Sequence, residues 1–210
     1  MTDRIQEITA AGRRIVAPYI TPWTGEEEPS RTVVEHRLGI GYSDEVLGDR
    51  DSRGVLWHTH ASFPGRGRPK FGEMHPQRQR RVMRKLLCQV CAGPADQSDE
   101  GVLWLLPDFR DDWPGWPTRM GLDEPPVCRP CLRLSVRVCP ALRRGAVAIR
   151  ARGYPLCGVY GAVYSRGPNS LVSRDVRTVA YEDPAIRWTR AGRLLRELLD
   201  CEIVPFDEVI

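Results

Sequence analysis

The sequence lacks the apolar segments that membrane insertion or secretion would require. No apolar run approaches the roughly 20 residues needed to span a bilayer. The N-terminus begins Met-Thr-Asp-Arg and has no apolar signal-peptide core. The seven cysteines are an odd number, which argues against the disulfide framework of a small secreted protein. These absences predict a cytoplasmic protein without a membrane partner.

The sequence also lacks the motifs of several large enzyme classes. It contains no phosphate-binding P-loop, no glycine pattern for a dinucleotide and no nucleophile elbow. Histidine, the most frequent general base, occurs four times and always before residue 76. These observations favour a binding or regulatory module over an enzyme.

Two cysteine pairs are present, Cys88-Gln-Val-Cys91 and Cys128-Arg-Pro-Cys131. A two-residue gap lets both thiolates of a pair reach one tetrahedral metal ion, and four cysteines are a common ligand set for structural zinc. Gly93-Pro94 predicts a sharp turn beyond the first pair. We therefore predict a structural Zn²⁺ site with these four cysteines as its ligands. Cys139 reads as a core thiol, and Cys157 and Cys201 have no identifiable partner.

The segment between the pairs carries a family resemblance. A turn at the first pair, a strand-like run at 101–106 and a helix carrying the second pair resemble a treble clef. Residues 84–142 thereby resemble the scaffold of the HNH nuclease superfamily, on which members carry a metal-dependent phosphodiesterase site. Members place a general-base histidine on the strand after the first pair, but residues 101–108 (Gly-Val-Leu-Trp-Leu-Leu-Pro-Asp) contain none. The resemblance implies the scaffold without the nuclease base.

A basic helix is predicted directly before the first pair. Pro76 suits the first helical position, and at 100° per residue the apolar and basic side chains separate onto two sides. The apolar side comprises Val82, Met83, Leu86 and Leu87, and the basic side comprises Arg78, Arg80, Arg81, Arg84 and Lys85. The preceding Gly/Pro-rich loop adds Arg66, Arg68 and Lys70, and only Glu73 interrupts the positive sign.

This basic region predicts the principal partner. Arginine dominates the basic residues and suits phosphate or carboxylate recognition, while the net charge of +4 is modest for 210 residues. We expect docking on nucleic acid through the 66–85 region, and an acidic protein partner is the alternative.

Three histidines support an alternative function. His58 and His60 are two residues apart on a predicted strand, so both imidazoles would point to one face. His75, at the start of the basic helix, could complete a three-histidine metal site with an open position for water. This arrangement would suit a metal-dependent hydrolase or nuclease. Hydrogen-bonded structural histidines are the other interpretation.

The fold prediction is α+β. A small N-terminal β-unit would pair strands at 31–42 and 55–60 as a hairpin, followed by the treble-clef-like zinc module. Strands at 146–152, 156–165 and 176–181 would precede a C-terminal amphipathic helix that begins at Asp183. Residues 4–15 could form a further short helix. The predicted divisions are 1–70, 71–145 and 146–210, or one integrated domain.

Overall fold

The structure is a computed structural model, and it describes residues 6–10, 13–27, 29–37, 39–168 and 170–209. Side chains are described from residue 16 onward. None of the helices within these ranges has both the length and the apolar composition that a bilayer crossing requires.

Strands dominate the described residues. In chain order they are β1 (Gln6–Ala10), β2 (Arg13–Ala17), β3 (Val33–His36), β4 (Gly39–Tyr42), β5 (Leu56–Trp57), β6 (Gln97–Ser98), β7 (Gly101–Pro107), β8 (Met120–Leu122), β9 (Ala146–Gly153), β10 (Leu156–Arg166), β11 (Leu171–Ala180) and β12 (Thr189–Val204). The helices are α1 (Pro76–Lys85), α2 (Arg129–Val138) and α3 (Phe206–Val209), with 3₁₀ turns at Pro140–Leu142 and Pro184–Trp188.

Strand β12 organises the main sheet. β10 pairs antiparallel with its first part and β9 with its last part, from Leu199 to Val204. Arg196 pairs both with Leu156 of β10 and with Leu122 of β8, so these two strands lie on opposite edges of β12. β11 extends the sheet beyond β10, while β7 and then β6 extend it beyond β9. The sheet curls into a half-barrel.

Strand β7 is buried on both faces because it separates two cores. Val102, Trp104 and Leu106 pack in one core with alternate residues of β9. Leu103 and Leu105 point to the opposite face and pack around the cysteines of the two pairs. The near-continuous apolar run that predicted this strand therefore reflects burial on two sides.

Helix α1 confirms the helix expected after Pro76, and it packs on β12. Val82 and Met83 are fully buried. The buried Gln79 side chain donates to the carbonyl of Leu194 at 2.9 Å and accepts from its amide at 2.9 Å, so it replaces a neighbouring strand at that point. The buried Arg196 guanidinium donates to the carbonyl of Met83 at 2.8 Å and thereby satisfies the end of the helix.

The predicted α+β fold class is wrong. The protein is mostly β, with 39% strand against 17% helix, and the three α-helices of the described residues are short. A treble-clef module with a C-terminal amphipathic helix is therefore not the architecture. The main element of the fold is instead the curled, mainly antiparallel sheet.

The predicted C-terminal helix is wrong, because most of that segment forms strand β12. An irregularity in this strand gives its apolar residues a spacing that resembles that of a helix. Tyr160 pairs with Arg193, and the next residue, Gly161, pairs with Ala191. Gly192 therefore has no partner on β10 and is an extra residue in the strand. Ala191 and Leu194 consequently share one core although they are three residues apart. The side chains of Leu194, Arg196 and Leu198 alternate along the strand and are all buried, with Arg196 8% exposed. Because Arg196 is charged, the sequence does not show this alternation.

The N-terminal expectations need two corrections. The 31–42 run is itself a hairpin of β3 and β4, in which Val33 pairs with Tyr42. It does not pair with the 55–60 run, whose short strand β5 lies parallel to β12. The helix considered within residues 4–15 is also wrong over the described positions, where β1 and β2 pair antiparallel; residues 4, 5, 11 and 12 lie outside the described residues.

A buried ion pair fastens α1 to the loop that precedes β3. Both Arg78 Nη atoms lie 2.6 Å from the Glu26 carboxylate oxygens, and the amides of Trp23 and Phe63 donate to the same carboxylate at 2.8 Å. Burial would raise the pKa of Glu26, but the hydrogen bonds from Arg78 and Trp23 outweigh it and hold the pKa below its ordinary value. The expectation that Arg78 lies on the exposed basic side of the helix is therefore wrong.

Replacing Arg78 should be far more damaging than replacing its exposed neighbour. Arg78→Gln leaves the buried Glu26 carboxylate without its cation, and such uncompensated charges cost about 3–5 kcal/mol. Arg81→Gln, on the exposed side of the same helix, should change stability by about 0.5 kcal/mol or less. Urea unfolding at pH 7 measures both, and equal effects would contradict the buried pair.

The same pair predicts a direction of pH dependence. A carboxylate with a lowered pKa stabilises the fold fully above its unfolded pKa of about 4.3, and the contribution disappears as the pH falls through the folded pKa. The stability difference between wild type and Arg78→Gln should therefore shrink on acidification below about pH 4. A difference that stays constant down to pH 3 would contradict this assignment.

The close approach at the β10–β12 irregularity predicts a contrast between two glycines. A Cβ on Gly161 would lie 2.3 Å from the carbonyl oxygen of Arg190, whereas a Cβ on Gly192 would meet its nearest atom at 3.7 Å. Gly161→Ala should cost about 1–3 kcal/mol, as overpacking does, and Gly192→Ala should stay within about 1 kcal/mol of wild type. Unfolding midpoints of the two variants provide the measurement.

Candidate metal centre

The first cysteine pair lies in a tight turn directly after α1. Leu86 ends the helix in the left-handed conformation, with φ 50°. The amide of Cys88 donates to the Gly93 carbonyl at 2.7 Å, and the amide of Ala92 donates back to the Cys88 carbonyl at 2.8 Å. This turn presents both thiols on one side, and the Gly93 amide also lies 3.4 Å from Cys91 Sγ. The sharp turn predicted from Gly93-Pro94 is confirmed.

The second pair opens helix α2. Cys128 is the N-cap residue and Cys131 lies in the first turn, which confirms the predicted position near a helix start. Pro130 occupies the first turn, where a missing amide proton costs nothing. The unpaired amides of that turn give the helix start a partial positive charge, which favours a thiolate at the N-cap residue Cys128.

Backbone hydrogen bonds bring the two pairs together. The amide of Gln89, inside the first pair, donates to the Pro126 carbonyl at 3.0 Å, and its side chain donates to the Pro125 carbonyl at 2.9 Å. The Val127 amide then donates to the carbonyl of Leu103 in β7 at 3.0 Å. The segment before α2 is thus held between the turn and the central strand.

The four sulfur atoms form one compact group. They lie within 4.8 Å of one another, and Cys91 Sγ is 3.8 Å from Cys128 Sγ. A tetrahedral ion with metal–sulfur bonds of about 2.3 Å has sulfur–sulfur edges of about 3.8 Å. A disulfide would bring the sulfurs to about 2.05 Å. The cysteine group could therefore hold a metal ion.

Protonation of these thiols is interdependent. Hydrogen bonds from the thiols of Cys131 and Cys88 lower the pKa of Cys128 to about 4. The same hydrogen bonds, together with burial, raise the pKa of Cys131 and of Cys88. The cluster thus favours a single thiolate, at Cys128, that accepts hydrogen bonds from the neighbouring thiols.

Asp96 supports the centre from outside, and the sequence alone did not reveal its role. Its carboxylate accepts from Arg129 Nε at 3.1 Å, in the first turn of α2, and from the buried Arg150 of β9. The Arg150 side chain also donates to the Gly101 carbonyl at 2.9 Å. One carboxylate thus connects the turn, the helix start and the sheet. The proximity of Asp96 to the first pair in the sequence is the only signal that could have suggested it.

The predicted basic residues are placed in different environments. Arg66, Arg68, Lys70, Arg81, Arg84 and Lys85 are exposed. Arg84 pairs with Asp51 at 3.0 Å, and Lys70 pairs with Glu73 at 3.7 Å. Arg80 lies over the ring of Trp57 at 4.6 Å, and burial lowers its pKa. With Arg78 buried against Glu26, the basic side of α1 that remains exposed and unpaired among the described residues is Arg81 and Lys85.

The structure brings three of the predicted histidines together. The ring centroids of His58 and His60 are 4.8 Å apart, and those of His60 and His75 are 5.6 Å apart. His75 is fully buried, while His58 and His60 are half-buried. Among the described residues, the four cysteines are the group that meets the 4.8 Å separation between all ligand atoms.

An acidic pair that the sequence did not reveal lies beside β12. Burial raises the pKa of Glu124 to about 7, and the adjacent Asp123 adds to the effect by its charge and a hydrogen bond. Arg193 Nη1 lies 2.8 Å from the Asp123 carboxylate. The backbone carbonyls of both residues accept from the buried side chains of Gln79 and Trp104. These contacts position the segment just before Pro125-Pro126, which approaches the metal centre.

Comparison of the chain with family models, with curated proteins and with solved structures finds no match. The resemblance of residues 84–142 to the HNH scaffold consequently stays a prediction.

Proposed function

We propose that Cys88, Cys91, Cys128 and Cys131 bind one structural Zn²⁺ ion. The observation that carries this proposal is the tetrahedron-sized group of four sulfurs at the junction of two separate chain segments. Four sulfurs within 4.8 Å suit a single ion better than a multi-iron cluster, whose several metals would hold the cysteines further apart. Four protein ligands leave no open coordination position, so the ion serves structure and not catalysis.

Zinc would also resolve the crowding of the thiols. Each ligand binds as thiolate, and a dication compensates charges that burial would otherwise disfavour at Cys88 and Cys131. Because the cysteines pack with Val90, Leu103 and Leu132 in one core, loss of the ion would expose or rearrange that core.

The function that this scaffold supports best is binding of a nucleic acid or a similar polyanion. Six exposed cations lie on the two helices next to the metal centre, and Arg84 and Arg129 are paired with carboxylates. The other four are Arg81 and Lys85 on α1, and Arg133 and Arg137 on α2. Among the described residues, none of the four has an ion-pair partner. Some other exposed arginines are paired, such as Arg110 with Asp108 at 2.6 Å, while others, such as Arg68 and Arg143, have no ion-pair partner among the described residues.

The spacing of these cations argues against a surface that serves only solubility. Each pair is separated by four residues, which places like charges on adjacent turns and destabilises a helix by about 0.2–0.5 kcal/mol. Neither helix contains an acidic residue that would offset this repulsion. Phosphate groups of a nucleic acid would relieve it. Zinc would fix the two helices relative to each other, because Cys88 follows Lys85 by three residues and Cys131 lies in the first turn of α2.

Replacing single cysteines tests the metal proposal. Cys91→Ser and Cys128→Ser should release zinc and lower the unfolding temperature, since metal binding is coupled to folding. Cys139→Ser, Cys157→Ser and Cys201→Ser should retain one zinc per chain at this centre. Elemental analysis of purified protein after dialysis measures the content. Full retention of zinc by Cys128→Ser at this centre would refute the proposal.

Charge replacement on the two helices tests polyanion binding. Each phosphate contact adds about 0.9 to the magnitude of the log–log salt slope on duplex DNA. The Arg81→Gln/Lys85→Gln double variant and the Arg133→Gln/Arg137→Gln double variant should therefore each reduce the slope by about 1.8. Binding should weaken similarly across sequences while the zinc content stays unchanged.

A matched control removes two exposed cations that already have carboxylate partners. Arg110 pairs with Asp108 and Arg166 pairs with Glu35, so the Arg110→Gln/Arg166→Gln double variant should leave the salt slope unaltered. Equal effects of the control and of the helix variants would indicate a nonspecific charge effect. Absence of nucleic-acid binding at low salt would favour the alternative partner, an acidic protein.

A further inference from the structure

The three clustered histidines lie in different segments of the chain, and hydrogen bonds hold the backbone of each. His58 follows β5, and its amide donates to the Ala191 carbonyl of β12 at 2.8 Å. The backbone of His60 is held by the side chain of Gln77, which accepts from its amide at 3.3 Å and donates to its carbonyl at 3.1 Å. His75 is the N-cap residue of α1, and its amide donates to the Ile20 carbonyl at 2.7 Å. His58 is thus held next to the sheet, His60 lies in a loop held by Gln77, and His75 lies at the start of α1.

The protonation state of His75 follows from its neighbours. Its Nε2 lies 3.1 Å from the Ala61 carbonyl oxygen, which can only accept, so Nε2 carries the proton. Nδ1 therefore holds a lone pair. A carbonyl that fixes one ring nitrogen while the other faces a metal is the usual environment of a histidine ligand.

That lone pair has no hydrogen-bond donor to match it. His75 Nδ1 and His60 Nδ1 are both buried and lack a hydrogen-bond partner among the described residues. Most buried polar side-chain atoms in folded proteins are hydrogen-bonded, so two such nitrogens on neighbouring rings are an exception that a bound ion would remove. The neighbouring carboxylate of Glu26 does not serve as their partner, because both its oxygens are engaged by Arg78 and backbone amides.

We propose that His58, His60 and His75 bind a second divalent transition-metal ion of the zinc class through their imidazole nitrogens. Neutral imidazoles suit such ions. The rings are inclined at 80° and 63° to each other, so they do not stack and their edges can converge. The imidazole nitrogens lie further apart than the 4.8 Å limit that the four sulfurs meet, so binding one ion requires the rings to turn toward each other. The half-buried His58 and His60 leave a solvent-facing side through which the ion enters and where water completes the coordination. This site is independent of the cysteine centre.

Metal counting with selective variants tests this second site. Wild-type protein dialysed against Zn²⁺ and then against metal-free buffer should retain two zinc ions per chain by elemental analysis. His60→Ala and His75→Gln should each retain one. Cys128→Ser should also retain one, now at the histidines, which separates failure of either site from failure of the other. His36→Gln is the matched control, because His36 is exposed and outside the cluster, and it should retain two.

Cobalt substitution identifies the ligands of each ion. Co²⁺ at the cysteine centre gives intense sulfur-to-metal charge-transfer absorption, whereas Co²⁺ bound by imidazoles gives only weaker visible bands. Removal of a direct ligand in His60→Ala should weaken the second Co²⁺ affinity by about 100-fold or more, since even supporting residues contribute about 10–100-fold. His60 is half-buried, so this variant tests the site even where His75→Gln fails to fold. One metal per wild-type chain, with no change in His60→Ala, would overturn the proposal.

Discussion

Three backbone hydrogen bonds form the constraint on which the metal centre depends. Asp96 donates to Val127 at 2.9 Å, Val127 donates to Leu103 at 3.0 Å, and Leu103 donates to Asp96 at 3.0 Å. These residues belong to the segment after the first cysteine pair, the segment before the second and the strand between them. The closed ring therefore sets the separation of the two pairs without any contribution from sulfur. The 36 residues between Cys91 and Cys128 can therefore be accommodated, because these three hydrogen bonds hold the ends of that segment together.

The part of the site that could be predicted from the sequence is the part defined by local spacing. Two cysteines separated by two residues approach the same ion in almost any turn or helix start, so the identity of the cysteine group followed directly from the sequence. The close approach at Gly161 is also of a local kind, because a glycine within an apolar strand usually marks a bulge or a neighbouring backbone at short distance. Neither inference required knowledge of which elements pack together.

The parts that could not be predicted depend on packing between distant segments. The helical periodicity of residues 76–87 separates basic from apolar side chains. It does not show that α1 faces the protein on two sides, one against β12 and one against Glu26. Arg78 and Arg196 are both buried charges whose partners lie far away in the chain. In β12, the extra residue at Gly192 and the buried Arg196 together produced a helical spacing of apolar residues. A sequence window contains none of this information.

Helix α1 gives the two proposed metal sites a common element. His75 precedes its first residue, and Cys88 follows its last residue by three positions. Ten residues at 1.5 Å each span about 15 Å, so the two ions would lie near opposite ends of one rigid segment. Between those ends, Gln79 and Arg196 bind the helix to β12, while Arg81 and Lys85 remain on its solvent side. Because both ends would be fixed by metal and the middle by the sheet, the exposed cations would have little freedom to reorient. A polyanion would then meet a preformed row of charges and lose less conformational entropy on binding.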